Sequence, residues 1–349
     1  VLGEFYEVVH GDIVNIYVDV WSMLESLFYT NNSRYLQTAR SSIRTLITPE
    51  LFNIAAHYRN WFTGRNGRRG MYTRVFFLYP GSPSALTTEC PEYRCRQYSR
   101  FFNTNVDTST LIGNCLEAAA ALSRSIPGVY VVNTRDIDVD VAIQLISNDE
   151  KYRNDKNIVL TRSALSRQHL YYIPNGVVST PAGVDTHIWN CDTSDAAYDA
   201  VVNSKNPQPT WRGVTSAQLP IHFAIRGRPD YGVQPVSGYG SVRTAKLLAQ
   251  LVHRGTLVNS WYEYETLVSQ LQNCSVFTRE FVDEQRRLVY YNLKQTLYRY
   301  QHRLVNTGSI THLCLQIVDV PDINRVETLS MQYYFQNPIR TAELWYLPW

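Results

Sequence analysis

Residues Gly227–Leu248 read GRPDYGVQPVSGYGSVRTAKLL, and the interpretation of the whole chain turns on this stretch. Its turn, Gly238-Tyr239-Gly240, separates an extended segment from a run predicted to be helical from near Ser241. A glycine-bounded turn that enters a helix N-terminus directs backbone N–H groups outward, where they suit a phosphate oxygen or another anion. Arg243 and Lys246 follow on that helix, Thr244 lies between them, and Arg226 and Arg228 stand just before the turn. Positive charge therefore brackets it. Many such turns only join two packed elements, and that reading stands beside the anion-binding one. The turn lacks the Lys-Ser/Thr of a nucleotide-binding P-loop, so no nucleotide cofactor is expected.

The surrounding composition is that of a globular protein. The chain has 349 residues, 44% of them apolar and 18% charged, enough for one large domain or two smaller ones. A net charge of +3 is too small to imply a polyanionic partner, so any nucleic-acid footprint must come from local clustering. Tyrosine is frequent, at 25 residues; exposed tyrosines can stack on bases, while buried ones fill cores and interfaces. The six cysteines are scattered, with only Cys90 and Cys95 close together and no second pair at zinc spacing. They read as reduced thiols, which points to a soluble intracellular protein, in cytoplasm or a nucleoid-like compartment. No apolar run approaches the ~20 residues that span a bilayer.

Upstream, β-branched runs alternate with helical patterns. Residues 13–20, IVNIYVDV, read as a buried strand that delivers Asp19 to its C-terminal end. Open α/β sheets place their chemistry at such ends, although the same carboxylate can cap the following helix. Residues 33–62 carry helical spacing, and the loop Thr63–Gly70 holds Arg65, Arg68 and Arg69 with no acid, either as a phosphate contact or as a solvated basic turn. Further strands are expected at Arg74–Tyr79, Pro127–Val132 and Asn157–Thr161, with others at Leu170–Ile173 and Val184–Trp189. Between them come a polar loop at 84–106 and a helix at Thr108–Ser125. Asp136, Asp138 and Asp140 fall at the start of a helix opening near Ile137, where the macrodipole favours acids. Downstream the pattern is helical: Ser216–Ile225, Tyr262–Leu271, and one long helix from Thr278 to about Leu304 bearing Arg286, Arg287, Lys294, Arg299 and Arg303. The eight histidines are dispersed; His169 and His187 lie near strands and are the two considered as ligands.

The order of landmarks resembles the flap-endonuclease-like 5′-nucleases of the PIN-like superfamily. Their helix-hairpin-helix runs Gly-x-Asp-Tyr, then Gly-x-Gly-x-x-Thr-Ala before a Leu-rich helix. Gly227, Asp230, Tyr231, Gly238, Gly240, Thr244 and Ala245 stand at the matching places, with one extra residue between Gly227 and Asp230. The first strand ending in Asp19 resembles theirs, and Asp138-Val139-Asp140-Val141 matches their Glu-Ala-Glu-Ala with shorter acids. The resemblance covers roughly residues 13–305. It implies an α/β domain over 1–190 with a mainly parallel sheet flanked by helices. A helical region over 191–349 would follow, containing a helix-hairpin-helix at about 216–252.

The same resemblance implies two-metal phosphodiester cleavage, for which Asp19, Asp138, Asp140 and Asp230 are the residues carried over. Three of the family's acids are missing. Pro80, Ser163 and Leu165 occupy their places, and none offers the hard anionic oxygen that magnesium prefers. The expectation is therefore a non-catalytic nuclease-fold protein with no cofactor, acting as a scaffold for a protein partner. It would contact DNA through Gly238, Gly240, Arg243, Thr244 and Lys246. The alternative is a magnesium-dependent 5′-3′ exonuclease or flap endonuclease, RNase H-like in its exonuclease activity, with a reduced acidic cluster.

Overall fold

The computed structural model describes residues 13–23, 72–79, 84–93, 128–134, 137–161, 165–169, 176–179, 216–253 and 263–304, together with a few isolated positions. The first half of the described chain is a five-stranded sheet in the order β3-β2-β1-β4-β5, every pairing parallel. Its strands are β1 (Ile13–Asp19), β2 (Tyr72–Tyr79), β3 (Val129–Asn133), β4 (Lys156–Leu160) and β5 (Gly176–Ser179). The central strand explains itself. From Val14 to Asp19 every residue of β1 is buried, as a strand covered on both faces requires, and its sequence reads as a β-branched run.

The chain winds outward from β1 through β2 to β3, then returns to the other side for β4 and β5. The direction of winding thus reverses between β1 and β4. In an open parallel sheet the carboxyl ends of two such strands part and leave a crevice. Asp19 closes β1 there and Thr161 follows β4, so the topology alone puts these two side chains at the switch point.

One face of the sheet is an aromatic ladder. Tyr17 is in register with Phe76, and Phe76 with Tyr130; the rings stack at centroid distances of 5.1 and 4.8 Å. Such pairs add about 0.5–1.5 kcal/mol each beyond the area they bury. Helix α2 (Val139–Ser147) covers this face, with Val141, Ile143 and Ile146 in the same core. Helix α1 (Ser84–Glu89) lies inside the stretch expected to be a loop at 84–106. It has no acid in its first turn and no base in its last, so its sequence carries little helix signal.

The helical part begins with α3 (Leu219–Arg226), followed by a tight hairpin in which Arg228 and Val233 form an antiparallel bridge. Then come α4 (Ser241–His253), α5 (Tyr264–Gln272), α6 (Ser275–Glu280), α7 (Asp283–Thr296) and α8 (Tyr298–Leu304). Phe223, Leu248, Leu251, Phe277 and Leu293 share one core. Asn292 reaches from α7 to donate to the carbonyls of Ala224 (2.8 Å) and Gln234 (2.7 Å), tying α3 to the turn behind it.

The long helix expected from Thr278 to Leu304 is three helices instead. Phe281 and Leu297 are extended (ψ 135° and 103°) and break it twice. The backbone N–H of Val282 donates to the Gln285 side chain, and Asp283 and Glu284 favour a fresh N-terminus there. Strand β5 falls between the two strands expected at 170–173 and 184–189, both of which lie outside the described residues. Also outside them are the helices of 33–62 apart from position 55, the arginine loop with Arg65, Arg68 and Arg69, and the chain beyond 304. Most of the helix expected at 108–125 lies outside as well. Among the described residues no helix is long and apolar enough to cross a membrane.

Candidate functional site

Two of the sequence-predicted acids, Asp19 and Asp140, are linked at the switch point through Thr161 and Ser166. Asp19 is fully buried; its Oδ1 accepts from the Ser22 backbone N–H (3.2 Å) and its Oδ2 from the Thr161 hydroxyl (3.0 Å). The first of these bonds caps the helical residues 20–23, so the capping role open at Asp19 is realised. Thr161 has one proton to give. It goes to the carboxylate, leaving lone pairs to accept from Ser22 (3.2 Å), and Ser166 Oγ lies 3.5 Å away.

Ser166 in turn donates to Asp140 Oδ1 (2.8 Å). The same oxygen faces His169 Nε2 at 2.9 Å, and Asp140 Oδ2 accepts from the Tyr298 hydroxyl at 2.5 Å. A carboxylate has no proton to offer here, so the His169 proton sits on Nε2. Asp140 is 1% exposed, His169 0% and Tyr298 2%. The negative charge is therefore held by hydroxyl and imidazole donors in a closed interior, where hydrogen bonds to a charged acceptor are about twice as strong as neutral ones.

Asp138 does not share this environment. It has extended dihedrals (φ −68°, ψ 149°) and is the N-cap of α2, with Oδ1 accepting from the Asp140 N–H (3.0 Å). Oδ2 accepts from the Tyr93 hydroxyl at 3.0 Å. Burial, and then the Asp138 charge, push the Tyr93 phenol well above its ordinary value, so it remains a donor at any physiological pH. Asp138 and Asp140 thus face different partners. Asp230 stands in the short 3-10 turn Pro229–Tyr231, on the helical side. Its neighbour Tyr231 packs in one small core with Leu86, Cys90, Tyr93 and Val233.

Leu165, at a place where the resembled family has an aspartate, is 3% exposed and packs into the helical core with Leu219 and Phe223. Pro80 and Ser163 lie outside the described residues. Among the described residues no group of three or more His, Cys, Asp or Glu side chains is placed to hold a metal ion.

The glycine turn at the head of α4 is built differently from a bare anion cradle. Thr244 is buried, and its hydroxyl donates back to the Gly240 carbonyl (2.9 Å). Arg243 lies over the Tyr239 ring at 4.2 Å and pairs with Glu280 at 3.0 Å. Tyr239 donates to the same carboxylate, and these two donors hold Glu280 below the usual carboxylate range. Lys246 and Val242 are exposed beside it. The cations of the C-terminal helices are largely matched by acids of the same chain: Arg286 by Asp283, Lys294 by Glu89, Arg299 by Glu263 and Arg303 by Glu265.

Of the residues that complete the carboxylate network, His169 was singled out by its position near a strand. Thr161, Ser166, Tyr93 and Tyr298 were not, because hydroxyl residues at unrelated spacings carry no motif.

The sheet and its helices define an α/β fold in which a parallel five-stranded sheet is followed by a helical part. No protein-family model matches the chain, and no curated protein matches it in sequence. Among solved structures it is similar to an alanine variant of the T5 5′-exonuclease (10% identity, 95% of this chain, 99% of that chain, TM-score 0.43). It is similar also to the bacteriophage T5 flap endonuclease in a pseudo-enzyme–product complex with DNA and metal ions (9% identity, 95% and 99%, TM-score 0.45). A zinc-bound T5 5′-exonuclease gives 10% identity, 95% and 100% coverage, and a TM-score of 0.44.

Proposed function

We propose that the chain is a non-catalytic protein of 5′-nuclease-type fold that serves as an interaction scaffold for a protein partner, its parts spanning 1–190 and 191–349. One observation supports this above others: Asp140, one of the acids carried over as a metal ligand, is engaged by Ser166, His169 and Tyr298. A two-metal hydrolase needs several anionic oxygens facing a shared space, with ions about 4 Å apart. Here Asp19 is turned to Ser22 and Thr161, and the place of one further acid is taken by the buried Leu165. Among the described residues, the side chains at the switch point do not fit a magnesium pair. The test is a cleavage assay on flap and duplex DNA with Mg²⁺ or Mn²⁺, comparing the parent with Asp138→Ala and Asp140→Ala. The expected result is no metal-dependent cleavage above background in any of them. Cleavage by the parent that is lost in both variants would overturn the reading.

A second reading, DNA contact through the helix-hairpin-helix stretch, is favoured by the exposed Lys246 and Val242 beside the Gly238–Gly240 turn. It predicts a gel shift with duplex or branched DNA that weakens steeply between ~50 and ~200 mM salt, and further with Lys246→Glu. Affinity that is indifferent to salt rejects it.

A further inference from the structure

We infer that residues 165–169 and Tyr298 form a latch that holds the corner between α7 and α8 against the carboxyl edge of the sheet, with Asp140 as the fixed point. This goes beyond the scaffold reading, because it assigns the carboxylate region at the switch point a mechanical task. Four of five side chains in this short segment, LSRQH, bridge the two parts of the described structure. Leu165 packs into the helical core. Ser166 and His169 bond Asp140 at the start of α2. Gln168 clasps the corner with both ends of its amide: Nε2 donates to the Thr296 carbonyl (2.8 Å), and Oε1 accepts from the Tyr298 N–H (3.4 Å).

The corner itself is made for insertion. Leu297 leaves the helical conformation (φ −94°, ψ 103°), which ends α7 and turns Tyr298 inward as the first residue of α8. Thr296 is anchored from the other side, its hydroxyl donating to the Pro220 carbonyl (2.8 Å). Tyr298 then crosses to Asp140, a bond between residues 158 positions apart, with its ring 5.5 Å from that of His169. These contacts are buried, and three of the six hydrogen bonds converge on the Asp140 carboxylate. Removing one hydroxyl should release α7 and α8 locally and leave the sheet in place.

The experiment is amide hydrogen exchange on the full chain, read segment by segment, for the parent and Tyr298→Phe without metal or DNA. Exchange in residues 283–304 should accelerate about tenfold or more, while β1 and β4 keep their protection. No change, or an equal change across all segments, overturns the latch. A companion variant, Asp140→Asn, keeps the shape and one acceptor oxygen but replaces the other with an NH2 and removes the charge, so at least one buried partner loses its charged acceptor. It should lower the melting temperature. In a cluster of acids awaiting a cation the same change relieves repulsion and raises it, so an equal or higher melting temperature also overturns the latch. Should Asp140→Asn fail to fold, Tyr298→Phe decides alone. Neither readout depends on whether the protein cuts DNA, so the latch and the scaffold reading can fail separately.

Discussion

Gly227→Ala is expected to lower the melting temperature by roughly 10 °C, far more than the same change at Gly238 or Gly240. Gly227 caps α3 with φ 78° and ψ 162°, a region that only glycine populates readily. Forcing a side-chain-bearing residue there costs about 1–3 kcal/mol in the backbone alone. A Cβ at this site would also stand 2.5 Å from the Pro235 nitrogen and 2.6 Å from its Cα. Those are backbone atoms of a chain segment pinned by the Val236 N–H to Ile225 carbonyl bond (2.8 Å), so nothing flexible can move aside. Overpacking of that kind adds about 1–3 kcal/mol. The two terms sum to about 2–6 kcal/mol, which at ~2–4 °C per kcal/mol, the slope for somewhat smaller chains, brackets the stated shift.

The neighbouring glycines supply the controls. Gly238 has a positive φ of 82°, but a Cβ there would meet only the end of the Arg243 side chain, at 3.6 Å. Backbone strain without a clash predicts a loss of about 1–3 kcal/mol. Gly240 has nothing within 4 Å and no positive φ, and its change to alanine should cost less than about 1 kcal/mol. The expected order of melting temperatures is Gly240→Ala, then Gly238→Ala, then Gly227→Ala, lowest. An unchanged value for Gly227→Ala, or a larger loss at Gly240, would show that the turn does not have this geometry.

That order also shows what the sequence could and could not disclose. The motif included Gly227 with Gly238 and Gly240, but only the Gly-X-Gly string suggested a role by itself. The stricter demand sits at Gly227, and it arises from Pro235, eight positions on, through a fold-back that no local pattern announces. The strands were legible for a sound reason: parallel strands buried on both faces are written as β-branched runs, and β1, β2, β3 and β4 all fall within a few residues of the expected segments. Strand β5 and helix α1 are too short to establish a period, and both were missed. The breaks at Phe281 and Leu297 have neither glycine nor proline to mark them, so three helices read as one. At the candidate site the aspartates were legible as a pattern, but their partners were not. Tyr298 meets Asp140 only because α8 folds back over the switch point, and a bond across 158 positions has no sequence signature.

The opposite end of the sheet carries the second large effect. Asp155→Ala should destabilise the protein by about 3–5 kcal/mol, because it removes the carboxylate that faces a cation mostly withdrawn from water. Arg74 is 14% exposed in its side chain and donates to Asp155 Oδ2 at 2.9 Å; Asn15 donates to the same oxygen at 3.0 Å. Asn15 donates also to Asn157 Oδ1 (3.0 Å), as does the fully buried Tyr17 (3.2 Å), and Asn157 returns a bond to the Asp155 carbonyl (3.1 Å). Burial pushes the Tyr17 phenol well above its ordinary value, which keeps it a donor to this network. Asp155 is thus the only formal negative charge among these five side chains. Asp155→Asn retains an acceptor and should lose less, about 1.5–3 kcal/mol, the worth of a charged hydrogen bond. The decisive variant removes both charges. Arg74→Met with Asp155→Leu exchanges the pair for apolar bulk, and buried pairs replaced in this way often lose nothing. Urea midpoints should therefore rank parent and double variant close together and Asp155→Ala well below both. If the double variant is as unstable as the single one, the contribution of Asp155 comes from the asparagine bonds rather than from Arg74, and the network is held by its amides.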